Sequence, residues 1–462
     1  MATFDTLQLR PELLQATAQM GFEQLTPIQE QALPPLLEGR DVSGQAKTGS
    51  GKTAAFGLGL LSRITSDLYT QALVLCPTRE LADQVAAELR RLASRMDNVQ
   101  VLCVTGGRAY RDQIASLHGG AQVVVGTPGR IGKHLDKETL DLSKLQVLVL
   151  DEADRMLDMG FVDQVLRIVH DCPSSTGPLA RQTLLFSATF PEGIQHLSRQ
   201  VQYRPVHLSV SSQVEEGLLE QQHVRVPWGH RNDAVLQILA HHTPERALVF
   251  CETRGDCDSL ARFLSGRGTV ALALHGDLDQ RNRDEVMLQF SGGSACVLVA
   301  TNVAARGLDI PALPMVLIAE LGGEVQAHVH RIGRTARADK EGLAISVVCG
   351  EREPDRLAAI EEFMGTEIPE VPLPTGGGSL AAMRPPNQTL LILAGRQDKL
   401  RKGDVLGALV KDGGIPAKAI GRIDLLPRIT AVAIAHEYAR QALSYLQEGR
   451  VKKMRVRARL LN

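Results

Sequence analysis

The chain has 462 residues, a formal net charge of -1, an apolar fraction of 44% and a charged fraction of 22%. That balance excludes wholesale disorder, and the length calls for roughly two to four domains. No apolar run approaches the ~18 residues of a membrane span, and the seven cysteines form no CxxC pair, which excludes a zinc knuckle or a disulfide framework.

Charges at Asp5, Arg10 and Glu12 interrupt any apolar leader, so no secretory signal is expected and a cytoplasmic location is. Apolar runs at 72–76, 99–104, 123–125, 147–150 and 183–186 lack polar alternation and are separated by amphipathic stretches such as 79–93. Strands buried on both faces of a parallel sheet have this pattern. An α/β domain is therefore expected over 1–208. The pattern restarts with runs at 247–250, 270–274, 296–300, 316–318 and 344–348, giving a second α/β domain over 209–370. Its first residues, 209–217, are polar and read as a hinge. Residues 371–379 read VPLPTGGGS and predict a flexible linker. In 380–462, strands at 389–393, 419–426, 429–435 and 454–460 and helices at 400–410 and 437–447 predict a small α+β, ferredoxin-like sheet. That tail carries 16 basic and 6 acidic residues, leaving 35 basic and 46 acidic residues before it. A basic unit on an acidic body suits either a polyanion partner or a solvated basic face.

Two segments carry chemistry. Residues 46–53 read AKTGSGKT between a strand-like 41–43 and a helical 54–61. Gly49 and Gly51 let backbone N–H groups approach phosphate oxygens, with Ala46, Thr48 and Ser50 completing the loop. Lys52 reaches the β- and γ-phosphates, and Thr53 can hold Mg²⁺. Residues 151–154 read DEAD directly after the apolar 147–150, at a strand's C-terminal edge. Asp151 is then a second anchor for Mg²⁺, and Glu152 can orient or deprotonate an attacking water.

With these residues the chain resembles the DEAD-box ATP-dependent RNA helicases over about 4–361, with the motifs in family order. The resemblance implies two tandem RecA-like P-loop domains, with ATP between them and RNA across both. GFEQLTPIQ at 21–29 is similar to the adenine-reading motif, which implies stacking by Phe22 and base contacts by Thr26 and Gln29. Pro77, Thr78, Arg79, Gly107, Thr127, Pro128, Gly129 and Arg130 match first-domain RNA motifs. Ser187 and Thr189 of SAT, with Asp154 and His330, match residues that couple hydrolysis to strand separation. In the second domain, Gln280 and Arg283 fit a QxxR pair, and Thr301 and Arg306 fit RNA contacts. Gly307 and Asp309 fit ATP contacts, and Arg334 and Arg337 of HRIGRTAR fit arginine fingers. Two departures stand out: Asn302 where the family has Asp, and Ala336 where it has Gly. If the latter position needs φ > 0, alanine strains the turn.

The tail resembles a non-standard RNA-recognition motif (RRM) of the bacterial DbpA-type helicases. Lys453, Arg455, Arg457 and Arg459 alternate with Met454, Val456, Ala458 and Leu460, which predicts a strand displaying a basic face. No Phe or Trp follows Phe363, so base stacking on the sheet is not expected. Arg396, Lys399, Arg401, Lys402 and Lys452 are further candidate RNA contacts. The resemblance implies a monomer that acts on 23S ribosomal RNA in pre-50S particles. The rival readings are an ATP-gated RNA clamp, a DNA helicase or translocase, and a protein-binding tail.

Overall fold

A computed structural model describes residues 3–46, 49–177, 180–210, 218–302, 313–336, 341–375, 379–452 and 454–461. The chain divides into two compact units, Met1–Gln213 and a second that spans most of the remainder.

The first unit is built on seven strands: β1 Val42–Gln45, β2 Ala72–Leu75, β3 Val101–Val104, β4 Val123–Gly126, β5 Val147–Leu150, β6 Gln182–Ser187 and β7 Val206–Ser209. They pair in the order β3-β4-β2-β5-β6-β1-β7, and every pairing is parallel. Alternate residues feed opposite layers. Val74, Val125 and Val149 join one core, while Leu73, Val124 and Leu148 join the other. Both faces are covered by helices, which is why these strands are unbroken apolar runs.

The second unit holds two sheets. Strands β8 Leu219–Val226, β9 Ala247–Cys251, β10 Ala271–Leu274, β11 Val297–Thr301, β12 Met315–Ile318 and β13 Gly342–Cys349 form a parallel sheet in the order β10-β11-β9-β12-β13-β8. Strands β14 Asn387–Ile392, β15 Ile420–Leu425, β16 Thr430–Ala435 and β17 Ala458–Leu460 form an antiparallel sheet in the order β15-β16-β14-β17. Its helices Lys402–Gly407 and His436–Glu448 cover one face through Val405, Ala442 and Leu446. The expected helix over 400–410 is shorter because the chain widens into a π-type turn at Ala408–Asp412.

Three expectations change. Edge strands β7 and β8 were not foreseen: β8 reads LEQQHVRV, five of its eight residues polar, and β7 alternates half-buried with exposed residues. The expected linker is packed at both described ends. Val371 and Leu373 lie on the second core, and Leu380 and Met383 are buried within it. Thr269 donates to the Met383 carbonyl at 2.6 Å. Residues 376–378 lie outside the described residues.

The third change concerns the basic strand of the tail. Only Ala458–Leu460 is strand. Leu391 and Arg459 face each other on the sheet surface opposite the two helices. That surface is covered, not displayed. Leu391, Ala431 and Leu461 pack with Leu288 from helix Gln280–Ser291. Arg459 forms an ion pair with Glu285 of the same helix. Thr389 donates to Ser294 at 2.7 Å, and Asn387 donates to the Gly292 carbonyl at 3.0 Å.

Candidate functional site: a phosphate loop and its partners

In the first unit the chemistry-bearing segments follow the C-terminal ends of β1, β2, β4, β5 and β6, the edge where open α/β sheets bind ligands. Gly51 caps helix Lys52–Arg63 at φ 89°. A Cβ there would lie 2.6 Å from Gln29 Nε2 and 2.9 Å from Thr26 Oγ1, so both conformation and space require glycine. Gly49 also has positive φ, at 88°. Thr26 Oγ1 donates to the Ser50 carbonyl at 2.8 Å, and Gln29 Nε2 donates to the Gly51 carbonyl at 3.2 Å. Gln29 Oε1 meanwhile accepts from Thr26 N at 2.9 Å, closing a capping box on helix Pro27–Leu37. The segment expected to read adenine is thus fastened to the glycine-rich loop. Phe22 stacks on Phe4 at 6.2 Å.

Lys52 is 6% exposed, and its Nζ has no hydrogen-bond partner among the described residues. A buried ammonium left in that state suits an anionic ligand. Asp151 and Glu152 are also buried, at 3% and 4% exposure. Burial pushes the Asp151 carboxyl up to about 6, Lys52 opposes that rise, and Glu152 adds to it. Asp151 stands between Lys52 and the buried Glu152, whose own charge is met by Arg155. Thr53, half-buried in the first turn of helix Lys52–Arg63, and Asp151 are oxygen donors of the kind that suit Mg²⁺, which takes few protein ligands when phosphates supply the others. Among the described residues no group of three or more His, Cys, Asp or Glu forms a closed metal cage.

Glu152 forms an ion pair with Arg155, one turn on and 1% exposed. Arg155 was missed in the sequence, where an arginine after three acidic residues reads as a solvated side chain; the i,i+3 spacing is the signal that could have found it. Asp154 turns to the SAT segment. Its Oδ2 accepts from Ala188 N at 3.1 Å, Thr189 N at 3.0 Å and Thr189 Oγ1 at 3.1 Å. Ser187 Oγ accepts from Asp154 N at 3.1 Å. Ala46 N donates to the Ser187 carbonyl at 3.0 Å, so phosphate loop, DEAD and SAT form one hydrogen-bonded assembly.

The expected RNA-facing segments sit at neighbouring strand ends. Thr78 caps helix Arg79–Leu92 and accepts from Leu81 N. The space above Gly106 is taken by Arg79, whose Nη2 would lie 2.8 Å from an added Cβ. Gly107 has φ 78°. Thr127 and Pro128 open helix Pro128–Leu135, with Gly129 exposed and Arg130 half-buried behind them.

In the second unit, Thr301 ends β11, and Asn302 accepts from Arg331 Nε at 2.8 Å. Arg331, another buried arginine the sequence reading missed, also pairs with Glu252 and donates to the Glu320 carbonyl at 2.9 Å. Asn302 therefore keeps the hydrogen bond that an aspartate would make, and leaves Glu252 as the carboxylate that balances Arg331. Arg334 is 3% exposed, His330 is half-buried on helix Val325–Ile332, and Ala336 has φ 52°. Gln280 and Arg283 share the first turn of helix Gln280–Ser291. In the tail, Arg396, Lys399, Arg401, Lys402, Lys452, Arg455 and Arg457 are exposed. These lie in loops and at one helix start, and Lys452 approaches Asp404 at 3.7 Å. Thr48, Arg306, Gly307, Asp309, Arg337 and Lys453 lie outside the described residues.

Comparison with known proteins follows the same division. Residues 26–197 match the DEAD/DEAH box helicase family, 230–339 the helicase conserved C-terminal domain, and 389–460 the DbpA RNA binding domain. The chain is 46% identical over 463 aligned residues, with all of both chains covered, to the ATP-dependent RNA helicase DbpA of Escherichia coli K12. It is 43% identical to the ATP-dependent RNA helicase CshA of Listeria monocytogenes, covering 81% of this chain and 71% of that one. Among solved structures, S. cerevisiae Dbp5 bound to RNA and ADP BeF3 superposes with TM-score 0.73 at 32% identity, covering 81% and 96% of the two chains. Mss116 bound to single-stranded RNA and UDP-BeF gives TM-score 0.72 at 26% identity, covering 81% of each.

Proposed function

The chain belongs to the DEAD-box ATP-dependent RNA helicases, and from that premise we propose how its residues divide the work. Lys52 and the loop Ala46–Thr53 grip the phosphates of ATP, with Phe22, Thr26 and Gln29 at the base and Gly307 and Asp309 supplied by the second domain. Thr53 and Asp151 hold Mg²⁺, which offsets phosphate charge when bound. Glu152 orients the attacking water, and Arg334 and Arg337 stabilise the transferring phosphoryl group. Asp154, Ser187, Thr189 and His330 relay the state of the nucleotide to the RNA residues. What supports the reading is Lys52, a buried ammonium without a hydrogen-bond partner among the described residues, close enough to Asp151 to oppose the rise that burial imposes on its pKa.

RNA passes over Pro77–Arg79, Gly107 and Thr127–Arg130 of the first domain, and over Gln280, Arg283, Thr301 and Arg306 of the second. Duplexes open locally when both domains hold one strand. Residues 1–208 and 209–370 act as the two motor domains and 380–462 carries the targeting domain, with 371–379 between them and Leu380 and Met383 lent to the second motor core. The protein works as a cytoplasmic monomer. Its tail binds 23S ribosomal RNA in pre-50S particles through Arg396, Lys402, Lys453 and Arg455. Support comes from the match of 389–460 to the DbpA RNA binding domain and from the exposure of Arg396, Lys402 and Arg455.

The test is ATPase activity with 23S ribosomal RNA, an unrelated RNA and single-stranded DNA. The 23S RNA should stimulate most and DNA least. A triple variant Arg396→Ala, Lys402→Ala, Arg455→Ala should lose the preference while retaining stimulation by saturating RNA. Equal stimulation by all three nucleic acids overturns the targeting reading. A strand-displacement assay showing no unwinding with hydrolysable ATP would favour the clamp.

A further inference from the structure

Between the first unit's two RNA-facing turns lies a polar network that the proposed chemistry does not use. His134 sits on helix Pro128–Leu135 and is fully buried. Its Nε2 lies 3.0 Å from Gln113 Oε1, and its Nδ1 lies 2.8 Å from Thr139 Oγ1. The Gln113 amide is oriented by its other end, which donates to the Thr105 carbonyl at 2.8 Å. Gln113 Oε1 can only accept, so the imidazole carries its proton on Nε2 and accepts at Nδ1. Burial, with Arg130 second, pushes the His134 pKa down to about 4, so the ring is neutral at physiological pH.

This chain of bonds joins two loops. Thr105 immediately precedes Gly106 and Gly107, while His134 belongs to the helix opened by Thr127–Arg130. Tyr110, the first residue of helix Tyr110–His118, closes the arrangement from above. Its ring stacks on His134 with centroids 4.3 Å apart and planes 20° apart. The Arg130 guanidinium lies over the same tyrosine ring at 5.5 Å, and the Lys137 ammonium at 5.1 Å. Tyr110 Oη is 3.2 Å from the Lys133 carbonyl.

We propose that Tyr110 and His134 are positioning residues for RNA. The neutral imidazole is a floor for the tyrosine ring, and that ring holds the Arg130 guanidinium where a backbone phosphate reaches it. An arginine side chain loses rotamer freedom when it binds a phosphate. A ring that already confines it removes part of that loss before RNA arrives. A protonated His134 would set a second cation beside Arg130, repelling it and competing for the same tyrosine ring, so the buried neutral state is part of the device. The inference rests on the proposed contact of Arg130 with RNA and adds how that contact is prepared.

The test uses the full-length protein, a short single-stranded RNA oligonucleotide and a non-hydrolysable ATP analogue, with Kd for each ligand and the thermal midpoint measured. Tyr110→Leu keeps apolar packing on His134 without a π face. Tyr110→Phe keeps the face and drops the hydroxyl. Tyr110→Leu should raise the Kd for RNA about threefold to tenfold, the range expected for one cation–π contact and its preorganisation. Affinity for the ATP analogue and turnover at saturating RNA should stay at wild-type levels, and Tyr110→Phe should restore RNA affinity. Because Tyr110 acts through Arg130, the double variant Tyr110→Leu, Arg130→Ala should bind RNA no more weakly than Arg130→Ala alone. Wild-type RNA affinity in Tyr110→Leu, or full additivity with Arg130→Ala, overturns the positioning role while leaving Arg130 on the RNA. Wild-type RNA affinity in Arg130→Ala overturns the underlying RNA contact and the positioning role with it. A fall in ATP affinity and thermal midpoint that accounts for the RNA effect shows a structural role instead and also overturns the proposal.

Discussion

Glu152 is held in a conformation its residue type disfavours, with φ 51° and ψ 54°. A left-handed backbone costs a non-glycine residue about 1 kcal/mol or more. The arrangement around it accounts for that cost: Arg155 anchors its carboxylate, while the next turn sends Asp154 to the SAT segment. Glu152→Gln keeps an oxygen that can accept from Arg155, so the turn should survive. ATP and RNA should still bind, and turnover should fall by at least about 100-fold. Single-turnover hydrolysis checks this, and near-normal turnover removes Glu152 from the chemistry. Ala336 is strained in the same way, at φ 52°, as its place in a glycine-bearing motif predicts. Ala336→Gly should stabilise the second unit by about 0.5–1 kcal/mol, since the relief of strain exceeds the added chain entropy of glycine. Urea titration reads the change, and a destabilised variant would show that the turn accommodates alanine without cost.

At the scale of elements, helix Gln280–Ser291 serves two surfaces. Its first turn carries Gln280 and Arg283, the proposed RNA pair. Its later turns carry Glu285 and Leu288, on which the third sheet rests. Glu285 is held by Arg281 and Arg459 together. Half-exposed ion pairs of this kind contribute about 1 kcal/mol or less, so the apolar contact of Leu391 with Leu288 is the stronger part of the joint. Leu391→Ala would remove that contact and leave a cavity against Leu288. Hydrogen exchange should then quicken in the last turn of helix Gln280–Ser291 and at Gly292–Ser294, while β9 and β11 stay protected. Unchanged exchange at 288–294 would show that the sheet docks without that contact.

At the scale of the molecule, the sequence is most legible where burial is most complete. Strands β2, β4 and β5 lie between two apolar layers, so their composition alone marks them. Edge strands are harder, because half of their side chains meet water. The polar β8 carries no apolar run, and β7 is hidden in what reads as the approach to a hinge. The phosphate loop and DEAD are legible because their chemistry fixes residue type and spacing. Arg155 and Arg331 are not, because a buried arginine looks in sequence like a solvated one, and only its carboxylate partner separates the two cases. The tail shows the reverse error. Alternating arginines correctly mark two faces, but sequence does not reveal that the face bearing Arg459 is covered by a neighbouring helix. Its exposed positive charge lies instead in loops around Arg396, Lys402 and Arg455. A net charge of -1 therefore says little about affinity for RNA.

The burial of Leu380 and Met383 in the second core sets a rule for anyone who would re-engineer the protein. The three glycines at 376–378 look like the natural place to cut and splice a foreign targeting module. A chimera joined there would discard two plugs of the motor along with the tail. The splice that leaves the motor whole lies beyond Met383, at the Pro385-Pro386 step, where residues specific to the third sheet begin.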